Sequence, residues 1–183
     1  MATRAGIAAI LAGTLIFLGQ AGELAFGSPE EPFVAIGGLG FAALIVAVWG
    51  LRPFVSGKLG RIGWRIMAGG AVFLGLFAIQ AIATVALTGD IPGNFVLFAL
   101  GFLLLFLGHL VIAPGLRSRL GRLWILPLVA AAGIVVAITL DTDPIHDIGL
   151  FVFEGAWVAL GVGILQAERK EAEAPTGIVF SQS

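Results

Sequence analysis

All ten Lys and Arg residues of this chain lie on one side of a pattern of six long apolar stretches, and eight of its eleven Asp and Glu residues lie on the other. Crossing a hydrocarbon core of about 30 Å takes about 20 predominantly apolar residues in a helix. Stretches of that order run from Ala5 to Phe26, Phe33 to Leu51, Gly63 to Thr88, Asn94 to Ala113, Arg122 to Leu140 and Asp147 to Ala167. The 183 residues are 59% hydrophobic and 11% charged, under half of the roughly 25% charge of soluble domains. A water-soluble fold could not hide that much apolar surface.

Turn chemistry separates the stretches: Ser28-Pro29 with Pro32, Arg52-Pro53, Asp90 with Pro92-Gly93, Pro114-Gly115, and Asp143-Pro144. Near-continuous apolarity over such lengths fits helices, whereas barrel strands would alternate with a period of two over about ten residues. The pattern predicts an all-α integral membrane protein of six transmembrane helices. Basic residues of short loops are retained on the cytoplasmic side. Here Arg4 precedes the first stretch, Arg52, Lys58, Arg61 and Arg65 flank the second connection, Arg117, Arg119 and Arg122 flank the fourth, and Arg169 and Lys170 follow the sixth. Glu23, Glu30, Glu31, Asp90, Asp141, Asp143, Asp147 and Glu154 occupy the other side. Both termini are therefore expected in the cytoplasm, with the chain in the plasma membrane. Residues 1 to 21 also mimic a signal peptide, with Arg4, an apolar core and Gly19-Gln20-Ala21. Against that reading, apolarity continues to Phe26 and the first stretch has an internal counterpart in the third.

That counterpart is part of a repeated hairpin. Phe17 to Ala21 resembles Phe77 to Ala81, and Gln20 and Gln80 each stand twelve residues before a proline, Pro32 or Pro92. Phe-Val follows each proline region, at Phe33-Val34 and Phe95-Val96, and then Leu-Gly-Phe, at Leu39 to Phe41 and Leu100 to Phe102. Leu-Gly-Arg with a nearby Trp opens the second and third units, at Leu59 to Arg61 with Trp64 and Leu120 to Arg122 with Trp124. Three tandem hairpins of one orientation are expected, at about 1–57, 58–118 and 119–167, related by an axis along the membrane normal. In the third unit Ala132 stands where the first two have Gln. Residues 168–183 form a cytoplasmic tail that begins as a charged helical extension and becomes disordered past Pro175.

In this layout the chain resembles the HdeD acid-resistance family. The residues that carry the likeness are Trp64 through Gly69-Gly70 to Leu74-Gly75, the loop prolines Pro32, Pro92 and Pro144, and the Leu-Gly pairs after two of them. It covers roughly residues 4 to 167. The resemblance implies a multi-pass membrane protein with a role in envelope or acid stress, and it brings no catalytic motif with it. The long segment from Thr88 to Asn94 and the weak third unit depart from the family's cleanest form.

Polar groups within a bilayer are costly and face the bundle interior by default, which makes them site candidates. Gln20, Gln80 and Glu154 lie roughly 10 to 12 Å below the outer ends of their helices at about 1.5 Å per residue. With Glu23 on the same face as Gln20, they form a candidate ligand-binding layer open to the outside. Hydrogen bonding between helices, at about 0.6 kcal/mol per pair, is the plainer role for Gln20 and Gln80. Glu154 is harder to absorb into packing, and a Gln partner or a proton is what its depth calls for. His146, amid Asp141, Asp143 and Asp147, forms a candidate pH-sensing cluster, with a solvated acidic loop as the plain alternative. His109 lies near the inner end of its stretch, so the two histidines cannot share a haem or metal.

No serine lies within a span and the chain has no cysteine, so nothing supplies an intramembrane nucleophile. HExxH, Walker and dinucleotide motifs are absent. No cofactor, metal or nucleic acid is expected. Partners are the lipid bilayer and, by way of small-residue ridges at Ala5, Ala9 and Gly13 or Gly155, Ala159 and Gly163, a membrane protein partner or second copy. The expected function is non-enzymatic and related to acid stress. Alternatives are a six-helix substrate-capture subunit of a transporter and a structural accessory subunit.

Overall fold

A computed structural model of the chain describes residues 2–26, 31–89, 95–139 and 145–173. Among the described residues every element is helical: α1 (Ala2–Phe26), α2 (Glu31–Gly50), α3 (Gly57–Thr88), α4 (Val96–Leu120), α5 (Leu126–Thr139) and α6 (Ile145–Glu173). Short 3₁₀ segments at Arg52–Phe54 and Gly121–Ile125 join α2 to α3 and α4 to α5. Five runs have the length and apolarity of a membrane span, the fourth being the continuous stretch Val96–Thr139 that contains both α4 and α5. Large apolar side chains such as Leu39, Val46, Ile79, Leu103 and Ile138 are exposed on the outside. Apolar surface all round a bundle belongs in hydrocarbon.

Each helix packs on its chain neighbours, and α6 packs on α1, so the six helices close into a ring. The most extensive interfaces join α3 to α4 and α1 to α2. Lipid is as apolar as leucine, so helices gain their association from close van der Waals contact, which small residues permit. The sequence supplies glycine at these places. A β-carbon on Gly70 would stand 2.7 Å from the Gly101 carbonyl and the Leu105 nitrogen, and one on Gly108 would stand 2.7 Å from the Met67 backbone. Gly40 takes the same role between α2 and Ile16 of α1. The Ala5, Ala9 and Gly13 ridge is consumed within the ring: Ala5 fits against Gly50, and Gly13 against the backbone of Glu154 and Val158. Inside the ring Phe41 of α2, Phe102 of α4 and Phe153 of α6 follow one another, with ring centroids 6.5 and 5.8 Å apart.

The connection after α4 differs from the sequence reading. Pro114-Gly115, expected as a turn, lies inside α4, which continues to Leu120. Proline is tolerated within membrane helices because neighbouring groups reorganise around it. Here Gly115 is pinned by α3: the Ser56 backbone N–H and hydroxyl both donate to its carbonyl, at 2.9 and 2.8 Å. The chain instead breaks at Gly121, whose φ of +54° is open to glycine and strained for other residues. Ser28-Pro29, Asp90 to Gly93 and Asp143-Pro144 lie outside the described residues, as does the tail beyond Glu173.

Candidate functional site

The polar side chains gather on the seam between α1 and α6. The two helices run antiparallel, with Gly6 against Gly161 and Gly13 against Glu154 and Val158. Continuing that register outward brings Gln20 of α1 to the first turns of α6. Its Nε2 donates to Asp147 Oδ1 at 3.1 Å, across 127 positions of sequence. Glu154 follows Asp147 by seven residues, so it shares that face about 10 Å deeper. Glu154 is 2% exposed and neither carboxyl oxygen has a hydrogen-bond partner. The expected Gln partner of Glu154 is thus engaged elsewhere, and the Oε1 of Gln20 is likewise without a partner.

Glu23, one turn beyond Gln20 on α1, is half-buried. Gln80 is half-buried on α3, whose main partners are α2 and α4; no hydrogen bond ties it to the α1–α6 seam among the described residues. His146 falls in the first turn of α6, its side chain outside the description, and Asp141 and Asp143 lie outside the described residues. Of the acidic cluster, Asp147 is the member the structure connects to another candidate.

Deeper in the ring, His109 of α4 is 1% exposed and reaches α6. Its ring stands edge to face with Trp157 at 5.5 Å and with Phe153 at 6.1 Å. Nδ1 lies 2.6 Å from the Leu105 carbonyl one turn back, while Nε2 has no partner. Trp157, 1% exposed, has an indole N–H with no partner either. The sequence reading passed over Trp157, and the signal was present. Trp49, Trp64 and Trp124 stand at the basic ends of their helices, whereas Trp157 sits in mid-helix three residues after Glu154, on nearly the same face.

At the basic end, the Trp64 indole donates to the Val48 carbonyl at 2.7 Å, and the Arg52 guanidinium lies 5.8 Å from the Trp64 ring. Arg117 stands over Trp124 in the same way at 5.9 Å. Two shallow apolar grooves of about 360 and 270 Å³ follow the α2–α3 side, lined by residues such as Pro32, Ala35, Gly38, Gly75 and Ile82. None of the polar seam lines them. Among the described residues no group of three or more His, Asp or Glu is placed to hold a metal ion. No family model, curated protein or solved structure matches the chain.

Proposed function

We propose that the chain is a six-span protein of the plasma membrane with both termini in the cytoplasm, that it has no enzymatic activity, and that it serves acid or envelope tolerance, as its HdeD-like layout of three hairpins implies. The span count draws support from the length of the fifth segment. Five 3₁₀ residues at about 2.0 Å and fourteen α-helical residues at about 1.5 Å together reach about 31 Å, enough for a hydrocarbon core. The orientation rests on Arg52, Lys58, Arg61, Arg65, Arg117, Arg119 and Arg122 flanking two connections on one side. Because the chain has no cysteine, single-cysteine variants test this directly. Ser56→Cys should react with an impermeant maleimide only in inside-out vesicles, and Thr88→Cys only in intact cells; the reverse pattern inverts the protein.

The acid-stress reading is carried by one observation, the Gln20 to Asp147 hydrogen bond that fastens the outer end of the seam where the ring closes. A hydrogen bond to an ionised carboxylate is roughly twice as strong as one between neutral groups. Acid arriving from outside meets this end of the seam first, and a local charge change there acts on the α1–α6 packing above Glu154. Hydrogen exchange in lipid nanodiscs, corrected for the intrinsic amide rate at each pH, tests it: the outer turns of α1 and α6 should be less protected near pH 4 than near pH 7, with the protection of α3 and α4 unchanged. Equal protection at both pH values, together with unchanged acid survival of cells carrying Gln20→Leu, would sink the reading.

A further inference from the structure

Glu154, Trp157 and His109 present four polar atoms without partners, on three side chains that are each at most 2% exposed. At about 100° per residue, Trp157 lies about 40° round α6 from Phe153 and about 60° short of Glu154. Helical side chains lean toward the N-terminus, so the indole of Trp157 leans back over the turn that carries Glu154. His109 reaches that turn from α4, its ring edge to face with both Phe153 and Trp157. The three groups therefore border one interior region, and no hydrogen bond joins any of them to another.

Their chemistry is complementary. The Leu105 carbonyl can only accept, so His109 Nδ1 carries the hydrogen. Nε2 of the neutral ring is then an acceptor in need of a donor, and the Trp157 N–H is a donor in need of an acceptor. The Glu154 carboxyl supplies both kinds of group when it holds a proton. Leaving each unsatisfied is costly, and a buried water with two to four polar partners relieves this. Around Glu154, α5 offers no titratable residue; α1 offers Arg4 and Glu23, both near its ends, and α4 offers His109, with Arg117 and Arg119 in its last turn. A compensating cation is not at hand.

We propose that Glu154, Trp157 and His109 enclose a water-filled proton-binding site in the bundle interior. The carboxylic O–H of Glu154 donates to the water, the water donates to His109 Nε2, and the Trp157 N–H donates to the water oxygen. This concerns what the interior binds, and it stands whether or not the seam responds to acid.

Infrared spectra of the purified protein in lipid nanodiscs provide the test. Expected is a carboxylic-acid C=O band that Glu154→Gln removes, that moves when H₂O is exchanged for D₂O, and that shifts again in Trp157→Phe and His109→Gln. If no such band exists, or if it ignores both Trp157→Phe and His109→Gln, the shared site is overturned. A second measurement leaves the interior side chains intact. With Trp49, Trp64 and Trp124 replaced by Phe, the remaining indole signal belongs to Trp157 and should exchange magnetisation with water; a signal silent to water overturns the site. Loss of the acid response with the band retained would fault the acid-tolerance reading alone.

Discussion

The α3–α4 and α1–α6 seams use the same packing device and carry different cargo. Along α3–α4, Gly63, Gly70, Gly101 and Gly108 bring the backbones together over most of the seam's length, and the side-chain hydrogen bonds sit at its inner end, where Ser56 binds the Gly115 carbonyl. Along α1–α6, Gly6, Gly13 and Gly161 do likewise over the inner part, and then Gln20 and Asp147 take over at the outer end. Close contact between backbones is insensitive to pH. A carboxylate that accepts a hydrogen bond depends on its charge. The first seam is built of backbone contact, and the second adds a side-chain hydrogen bond on which the proposed acid response rests.

The largest way to break this comparison is to overfill the first seam. In Gly108→Val the new β-carbon meets the Met67 backbone at 2.7 Å, and main chain cannot yield as a flexible side chain does. A loss of about 1–3 kcal/mol or more is expected, read as a fall in thermal midpoint in mild detergent. The same seam should show no pH dependence. If Gly108→Val unfolds no sooner than wild type, the glycine approach is not what joins α3 to α4.

The second effect is smaller and conditional. Gln20→Leu removes one interhelical hydrogen bond, at about 0.6 kcal/mol and at most about 1.7 kcal/mol in membrane helices. The sign with pH comes from the acid-tolerance proposal: the bond counts for most near neutrality and for least in acid. Wild type should therefore lose stability on acidification relative to Gln20→Leu, and the two should converge at low pH. Parallel curves would show that this bond carries no pH dependence.

Much of the helical layout could be read from apolar runs, because a bilayer forces the backbone to satisfy itself within each segment. Glu154 stood out for the same reason, as a carboxyl deep in an apolar stretch. Helix ends were read less well: proline and glycine at 114 and 115 mark a turn in water, yet the helix runs through them to Gly121. The partner of Gln20 could not be read at all. It depends on α6 closing the ring against α1, a relation between chain ends set by the packing of all the helices. Trp157 was overlooked because tryptophan in a membrane sequence is read first as an interfacial anchor.

Ser56→Ala probes the inner end of α3–α4, where a side-chain bond is backed by the main chain. The hydroxyl bond to the Gly115 carbonyl is lost, while the Ser56 N–H keeps its own bond to the same oxygen at 2.9 Å. About 0.5–1.5 kcal/mol is the usual worth of such a bond, and the retained partner puts this case at the low end. A midpoint shift as large as that of Gly108→Val would mean that polar groups, and not close backbones, hold this seam too.

The smallest expected effect comes from a glycine that packs on nothing. A β-carbon at Gly155 would find no atom within 4 Å, and Ala159, one turn on, is also exposed. Gly163, the third member of that small-residue row, is already covered by Leu123. The row is thus split, its inner member used within the ring and its outer two facing lipid. Gly155→Ala should cost no stability, since the new β-carbon meets nothing and alanine is the better helix former. Gly133→Ala, on α5 facing α6, should cost clearly more, since its β-carbon would meet the Gly149 carbonyl at 2.6 Å. The contrast separates glycines that pack the ring from glycines that merely occupy a lipid-facing turn. A large loss in Gly155→Ala, growing with protein concentration, would show instead that a second copy covers this face of α6, because only an intermolecular contact supplies the atoms that the single chain lacks there.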